Sequence, residues 1–161
     1  AAYEGTDIIS CLRSKYIIRQ SRISYRDSDT SLKIKTNYDM ILLKDNHIDF
    51  AGGIENAIRN AQNYIQEKGK NLKIEIEVRN FDELNEVLRI GGVDRIMLDN
   101  FTPEKTKEAV ELINGRFETE SSGGITFATL QDYAKCGVDY ISVGALTHSV
   151  NSLDMSLKAI K

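Results

Sequence analysis

From Gly52 onward, apolar positions recur with two alternating periods. Residues 53–68 set Ile54, Ala57, Ile58, Ala61, Tyr64 and Ile65 on one stripe, which predicts a helix. Residues 74–78 alternate, with Ile74, Ile76 and Val78 on one side and Glu75 and Glu77 on the other, which predicts a strand. Residues 82–90 return to helical spacing, with Leu84, Val87 and Leu88 inward and Gly91-Gly92 as the stop. A strand follows at 95–99. Thr102-Pro103-Glu104 then opens a helix, with Thr as N-cap and the chain's single proline in the first turn, and Asn114-Gly115 ends it. Further on, the pattern predicts a strand at 117–121, a helix at 126–135, a strand at 139–143 and a last helix over about 150–160. With Met40–Leu43 as a first apolar run, this gives about five strands alternating with helices. Such alternation means parallel strands with right-handed crossovers. The class is α/β, either a small doubly wound sheet or part of a larger barrel, since five units are too few for an eight-unit barrel.

Residues 7–37 have another texture. They are rich in Ser, Arg, Lys, Ile and Asp and contain neither Gly nor Pro. KYIIRQ and SLKIKT are candidate strands, while RISYRDSDTS has no clean period. The segment is otherwise left unassigned, and is expected to pack poorly and not to complete a barrel.

Composition narrows the class. A chain of 161 residues, 41% hydrophobic and 28% charged, suits one soluble domain with a real core. A net charge of −3 argues against nucleic acid or an anionic membrane as main partner. No apolar run approaches membrane-spanning length. Cys11 and Cys136 have no metal-like spacing and read as reduced thiols, and AAYEGTD lacks the features of a signal peptide. The expected compartment is the cytoplasm.

The candidate chemistry lies at the ends of the apolar runs. If Ile96 and Leu98 face helices, then Arg95, Met97 and Asp99 face the other way, as do Glu75 and Glu77. Lys44 shares a face with Met40 and Leu42. Lys44, Glu77 and Asp99 therefore point into one lumen from the same strand ends, where parallel α/β folds build their sites. An internal ion-pair network is the competing reading of these charges. Two glycine-rich turns, SGGIT and SVGAL, each join a strand to a helix. There, backbone N–H groups can approach an anion. Two such turns in succession favour a phosphate site over turn geometry alone. His47 and His148 are weaker candidates, His148 because it follows the second turn closely and His47 as a loop histidine.

YDMILLKDNHI, KIEIEVRNFDEL, VDRIMLDNFTPE, ETESSGGIT and GVDYISVGALTHS, in this order and spacing, resemble quinolinate phosphoribosyltransferase, the decarboxylating nicotinate-nucleotide pyrophosphorylase of NAD biosynthesis. The resemblance covers about residues 38–161. It implies a partial open α/β barrel (TIM-like) with parallel strands, with the family's N-terminal sandwich domain absent from these residues. It implies Mg2+ as cofactor, quinolinate and phosphoribosyl pyrophosphate as substrates, and a homodimer or a higher assembly. Residue by residue, Lys44 is similar to the family lysine that contacts quinolinate. Glu77 and Asp99 are similar to the carboxylates that hold ribose hydroxyls and metal. Ser122, Gly123 and Gly124, then Val143, Gly144 and Ala145, are similar to the phosphate loops, and His148 to a histidine beside them.

The same resemblance exposes departures. The family's Thr-Arg-Lys-Thr and Asn-His-Arg motifs do not occur before Tyr38. Residues 1–37 are accordingly expected to be an altered or degenerate segment, and residues 38–161 the barrel portion. Those motifs carry cations for quinolinate. A non-catalytic phosphate-binding or dimerisation fragment of the family therefore stands as the alternative to an active enzyme.

Overall fold

The computed structural model describes residues 7–12, 19–23, 34–37, 40–69 and 71–144, the first three stretches as backbone. The elements run β1 (Asp7–Leu12), β2 (Arg19–Ile23), β3 (Ile34–Asn37), β4 (Met40–Leu43), α1 (Asp45–Ala51), α2 (Ile54–Lys68), β5 (Lys73–Val78), α3 (Phe81–Ile90), β6 (Arg95–Asp99), α4 (Pro103–Ile113), β7 (Glu118–Ser122), α5 (Leu130–Ala134) and β8 (Tyr140–Ser142). They form one eight-stranded sheet in the order β3-β2-β1-β8-β7-β6-β5-β4. From β4 to β8 every neighbouring pair is parallel, as the strand–helix alternation predicts. The class is α/β, a partial open barrel whose described edges are β3 and β4.

The N-terminal segment joins the sheet more fully than its texture suggests, without pairing β3 to β4. Residues 7–37 contribute three strands to the sheet: β1 pairs parallel with β8, and β2 and β3 continue antiparallel. β2 and β3 overlap the candidate runs KYIIRQ and SLKIKT, whereas β1 has no period to announce it. Pairing with β8 organises β1 from outside its own sequence. How well the side chains of this segment pack lies outside the described residues, as does the helix expected over 150–160.

Helix signals in the sequence map onto the structure closely. Asn80 caps α3, accepting the Glu83 N–H at 2.9 Å, and Thr102 caps α4, accepting the Lys105 N–H at 3.4 Å with Pro103 in the first turn. α4 ends on Asn114 in a left-handed conformation, φ 50°. α5 is shorter than the expected 126–135. Thr126 and Thr129 close a turn first: the Thr129 hydroxyl accepts the Thr126 N–H at 3.0 Å, and the helix starts only at Leu130.

Each strand from β4 to β6 buries its odd or even set against the helices. Ile76, Val78, Ile96 and Leu98 are fully buried there with Leu84, Val87, Ala109 and Ile113. Each such aliphatic side chain contributes about 1.5–3 kcal/mol by leaving water. The helix-facing residues of β7 are Thr119 and Ser121, and at this polar strip the apolar core divides. A smaller cluster of Ile125, Val138, Ile141 and Val143 continues under α5.

A repeated Gly-Val-Asp sequence sets the register. Asp94, just before β6, accepts the Ile74 N–H of β5 at 2.7 Å. Asp139, just before β8, accepts both the N–H and the hydroxyl of Thr119 at 2.8 Å each. Each aspartate pins the start of the preceding strand in the chain, so the strand ends stay level at the opposite face, where the polar residues gather.

Candidate active site at the carboxyl ends of the strands

The lumen side of the strands carries charge in two layers. In the lower layer Arg95, 1% exposed, is the centre. Its Nη2 donates to Glu118 Oε2 at 2.8 Å and its Nη1 to Glu120 Oε2 at 3.1 Å. The guanidinium also lies 3.6 Å from the centre of the Tyr140 ring. The Ser142 hydroxyl donates a short hydrogen bond to Glu120 Oε1. Glu75 is fully buried beside them, and its Oε1, 3.8 Å from Arg95, has no hydrogen-bond partner. Burial pushes the Glu75 carboxyl well above the ordinary carboxylate range. The Glu120 carboxylate pushes the same way, and Arg95 only partly pulls it back. Burial also raises Glu118, but its hydrogen bonds to Arg95 and Lys73 outweigh this and hold it below the ordinary range.

The upper layer brings together the three residues singled out in the sequence. Lys44 stands at the end of β4, Glu77 near the end of β5 and Asp99 at the end of β6. Lys44 Nζ lies 3.6 Å from Glu77 Oε2. Burial raises the Glu77 carboxyl, Lys44 opposes the rise, and the Asp99 carboxylate adds to it. The cation and both carboxylates therefore feel one another at the barrel mouth. Asp99 Oδ2 accepts from Asn100 Nδ2 at 2.6 Å.

The first glycine turn lies alongside. Ser122 is the last residue of β7 and pairs in register with Asp99, and Gly123 and Gly124 follow with φ of 94° and 63°. At Gly123 the angle, with Asn100 atoms 2.3–2.7 Å from where a Cβ would stand, requires glycine. Because α5 begins only at Leu130, an anion here would meet loop N–H groups and not the end of a helix, a correction to the sequence expectation. Val143 is buried under α5 and Gly144 ends the described chain. Ala145 and His148 lie outside the described residues. His47 has a local task, since its Nδ1 accepts the Lys44 N–H at 3.1 Å and closes the first turn of α1.

The three residues singled out in the sequence share the upper layer, and an ion-pair network fills the lower one. The lower layer is the internal ion-pair network. Sequence reasoning placed Glu75 and Arg95 in the lumen but missed Glu118, Glu120 and Ser142. The signal was the alternation in ETESS, which puts Glu118, Glu120 and Ser122 on one side. Among the described residues no cluster of three or more His, Cys, Asp or Glu side chains is set to hold a metal. Mg2+ commonly takes one or two protein carboxylates and completes its shell with water and substrate phosphates, and Glu77 and Asp99 are the two carboxylates that would be on offer at the mouth.

Fold and placement together define an α/β-barrel domain with its polar residues at the strand carboxyl ends, the working face of such barrels. Residues 34–158 match the family described as quinolinate phosphoribosyl transferase, C-terminal domain, and the chain belongs to that family. It is 45% identical over 135 residues to the chloroplastic nicotinate-nucleotide pyrophosphorylase (carboxylating) of Arabidopsis thaliana, covering 75% of this chain and 39% of that protein. It is 46% identical over 131 residues to a probable nicotinate-nucleotide pyrophosphorylase of Methanocaldococcus jannaschii, covering 76% and 44%. The crystal structure of NadC from Streptococcus pyogenes superposes with a TM-score of 0.67 at 37% identity, over 80% of this chain and 45% of that one. The chain thus spans about two fifths of the length of the curated relatives it matches. No helix among the described residues is long and apolar enough to cross a membrane.

Proposed function

We propose that this chain supplies the barrel of an enzyme that transfers phosphoribosyl from phosphoribosyl pyrophosphate to quinolinate. The products are nicotinate mononucleotide, CO2 and pyrophosphate, a step of NAD biosynthesis. The reading is carried by the convergence of Lys44, Glu77 and Asp99 beside the Ser122–Gly124 turn, in a chain of this family. Glu77 and Asp99 hold the ribose hydroxyls and face the positive charge that develops at C1 as the bond to pyrophosphate breaks. Lys44 faces a quinolinate carboxylate, with Glu77 holding its ammonium in place until substrate arrives. Ser122, Gly123 and Gly124, with Val143, Gly144, Ala145 and His148, receive the phosphate. Mg2+, held by Glu77 and Asp99, would neutralise charge on the leaving pyrophosphate.

In the same reading residues 38–161 are the barrel portion and residues 1–37 an altered segment. The assembly is a homodimer or a multiple of it, and the compartment is the cytoplasm. The alternative, a non-catalytic phosphate-binding or dimerisation fragment, is favoured by one observation: the Thr-Arg-Lys-Thr and Asn-His-Arg motifs are absent before Tyr38. One lysine does not replace arginine forks, and each lost charge-assisted hydrogen bond costs about 1.5–3 kcal/mol. This chain alone is therefore expected to bind phosphoribosyl pyrophosphate with Mg2+ weakly, and quinolinate negligibly. Calorimetric titration with each ligand tests this. Loss of phosphoribosyl pyrophosphate binding in Asp99→Ala supports the site. No binding by the unaltered chain overturns it. Tight quinolinate binding decides for the complete enzyme over the fragment.

A further inference from the structure

Asn100 follows the last residue of β6 with φ 57°, in the left-handed region that few residues other than glycine enter. If backbone conformation were the only demand, glycine would serve as well. The asparagine side chain does more. Its Nδ2 donates to Asp99 Oδ2 at 2.6 Å. Its backbone N–H donates to the Ser122 carbonyl at 2.8 Å, tying the end of β6 to the end of β7. Its Oδ1 lies 2.3 Å from where a Cβ on Gly123 would stand, and its backbone nitrogen 2.7 Å from the same point. The carboxamide therefore occupies the space that any side chain at position 123 would need. It is wedged between a carboxylate on one strand end and the glycine turn on the next.

We propose that Asn100 is a positioning residue that fixes the Asp99 carboxylate and seats the Ser122–Gly124 turn against it, so that the two halves of the phosphoribosyl site are ordered together. This rests on the function proposed above and adds a residue that the sequence did not single out. Asp99 is only partly buried, so no packing alone holds its rotamer. A donor with a fixed backbone selects the orientation in which one carboxylate oxygen faces Asn100 and the other is left for ligand. The same amide, together with the Asn100 backbone nitrogen, leaves no room for a side chain at position 123, which keeps backbone N–H groups open to an anion.

Asn100→Gly keeps the left-handed backbone and its link to Ser122 while removing the amide. Its melting temperature is expected to stay close to that of the unaltered chain, and its affinity for phosphoribosyl pyrophosphate at saturating Mg2+ to fall by about tenfold. Asn100→Asp keeps size and backbone tolerance but has no donor at neutral pH, so it is expected not to restore affinity. Wild-type affinity in either variant, within about twofold, would reduce Asn100 to a turn residue and overturn the inference. In 15N-labelled chain the Asn100 side-chain amide resonances are expected to shift on Asp99→Ala, with or without ligand. If the unaltered chain binds no phosphoribosyl pyrophosphate, the proposed function falls. The amide spectrum then decides the Asn100–Asp99 link by itself, and unmoved resonances overturn it.

Discussion

The two layers of the lumen each set a cation among carboxylates, for opposite ends. Below, Arg95 is held at 2.8 and 3.1 Å by Glu118 and Glu120 and covered by Tyr140, and Arg95, Glu75 and Glu120 are buried while Glu118 reaches the surface. Above, Lys44 keeps a quarter of its side chain exposed and reaches Glu77 only at 3.6 Å, with Asp99 held by an amide. Charges that satisfy one another inside the protein contribute little to ligands. Charges left loosely paired at the rim remain available. The difference lies in the number of partners, in water, and in an arginine fork below against a single ammonium above.

The sharpest way to break this contrast is to remove the centre of the lower layer. Arg95→Met leaves Glu120 buried without its cation, while Glu118 keeps Lys73 at 3.0 Å, and a loss of about 3–5 kcal/mol is expected by urea denaturation. A loss under about 1 kcal/mol would mean that Glu120 does not depend on this cation. In the upper layer, Asp99→Ala is expected to weaken phosphoribosyl pyrophosphate binding by at least about tenfold while changing stability by less than about 1 kcal/mol. Equal stability losses from the two variants would erase the distinction between layers.

A pH series sharpens it further. Glu75 has a raised pKa in the folded chain, so the folded chain retains a proton that the unfolded chain gives up. Stability contributed by this proton is lost as pH rises above the ordinary carboxylate range. Glu75→Gln removes the titration, and its melting temperature is expected to fall less than that of the unaltered chain as pH rises above the ordinary carboxylate range. Glu118, lowered by its bonds to Arg95 and Lys73, works in the opposite sense, and its contribution is lost on acidification. The smallest effect is a control outside both layers. Thr102→Ala removes the α4 cap and should cost about 1 kcal/mol, additive with Asp99→Ala. Strong non-additivity would show that the mouth and the helix entry are coupled.

The upper layer was legible because it needs only local information. Period-two alternation in KIEIEV and RIMLD sorts Glu77 and Asp99 away from the helices, and the strands do sort that way. The lower layer was half legible. Arg95 finds Glu118 and Glu120 at 23 and 25 residues' distance, and no local pattern pairs them until β6 and β7 align in register. Asn100 escaped notice for the same reason. Its significance lies in a glycine on the next strand's loop and not in its own neighbours. The strand at 7–12 carries no clean alternation, and pairing with β8 is what makes it a strand, with β2 and β3 continuing the sheet beyond it.

By itself the sequence determined helices α2, α3 and α4, the cap of α4, the parallel α/β class, the faces of the inner strands and, through its motifs, the family. Each of these depends on residues within a few positions of one another, where backbone geometry leaves little choice. Only the tertiary structure decided which lumen charges are spent on each other and which stay open, where α5 starts, and how the N-terminal strands join the sheet. Those outcomes depend on register between strands, and hence on distances and burial that no single segment encodes.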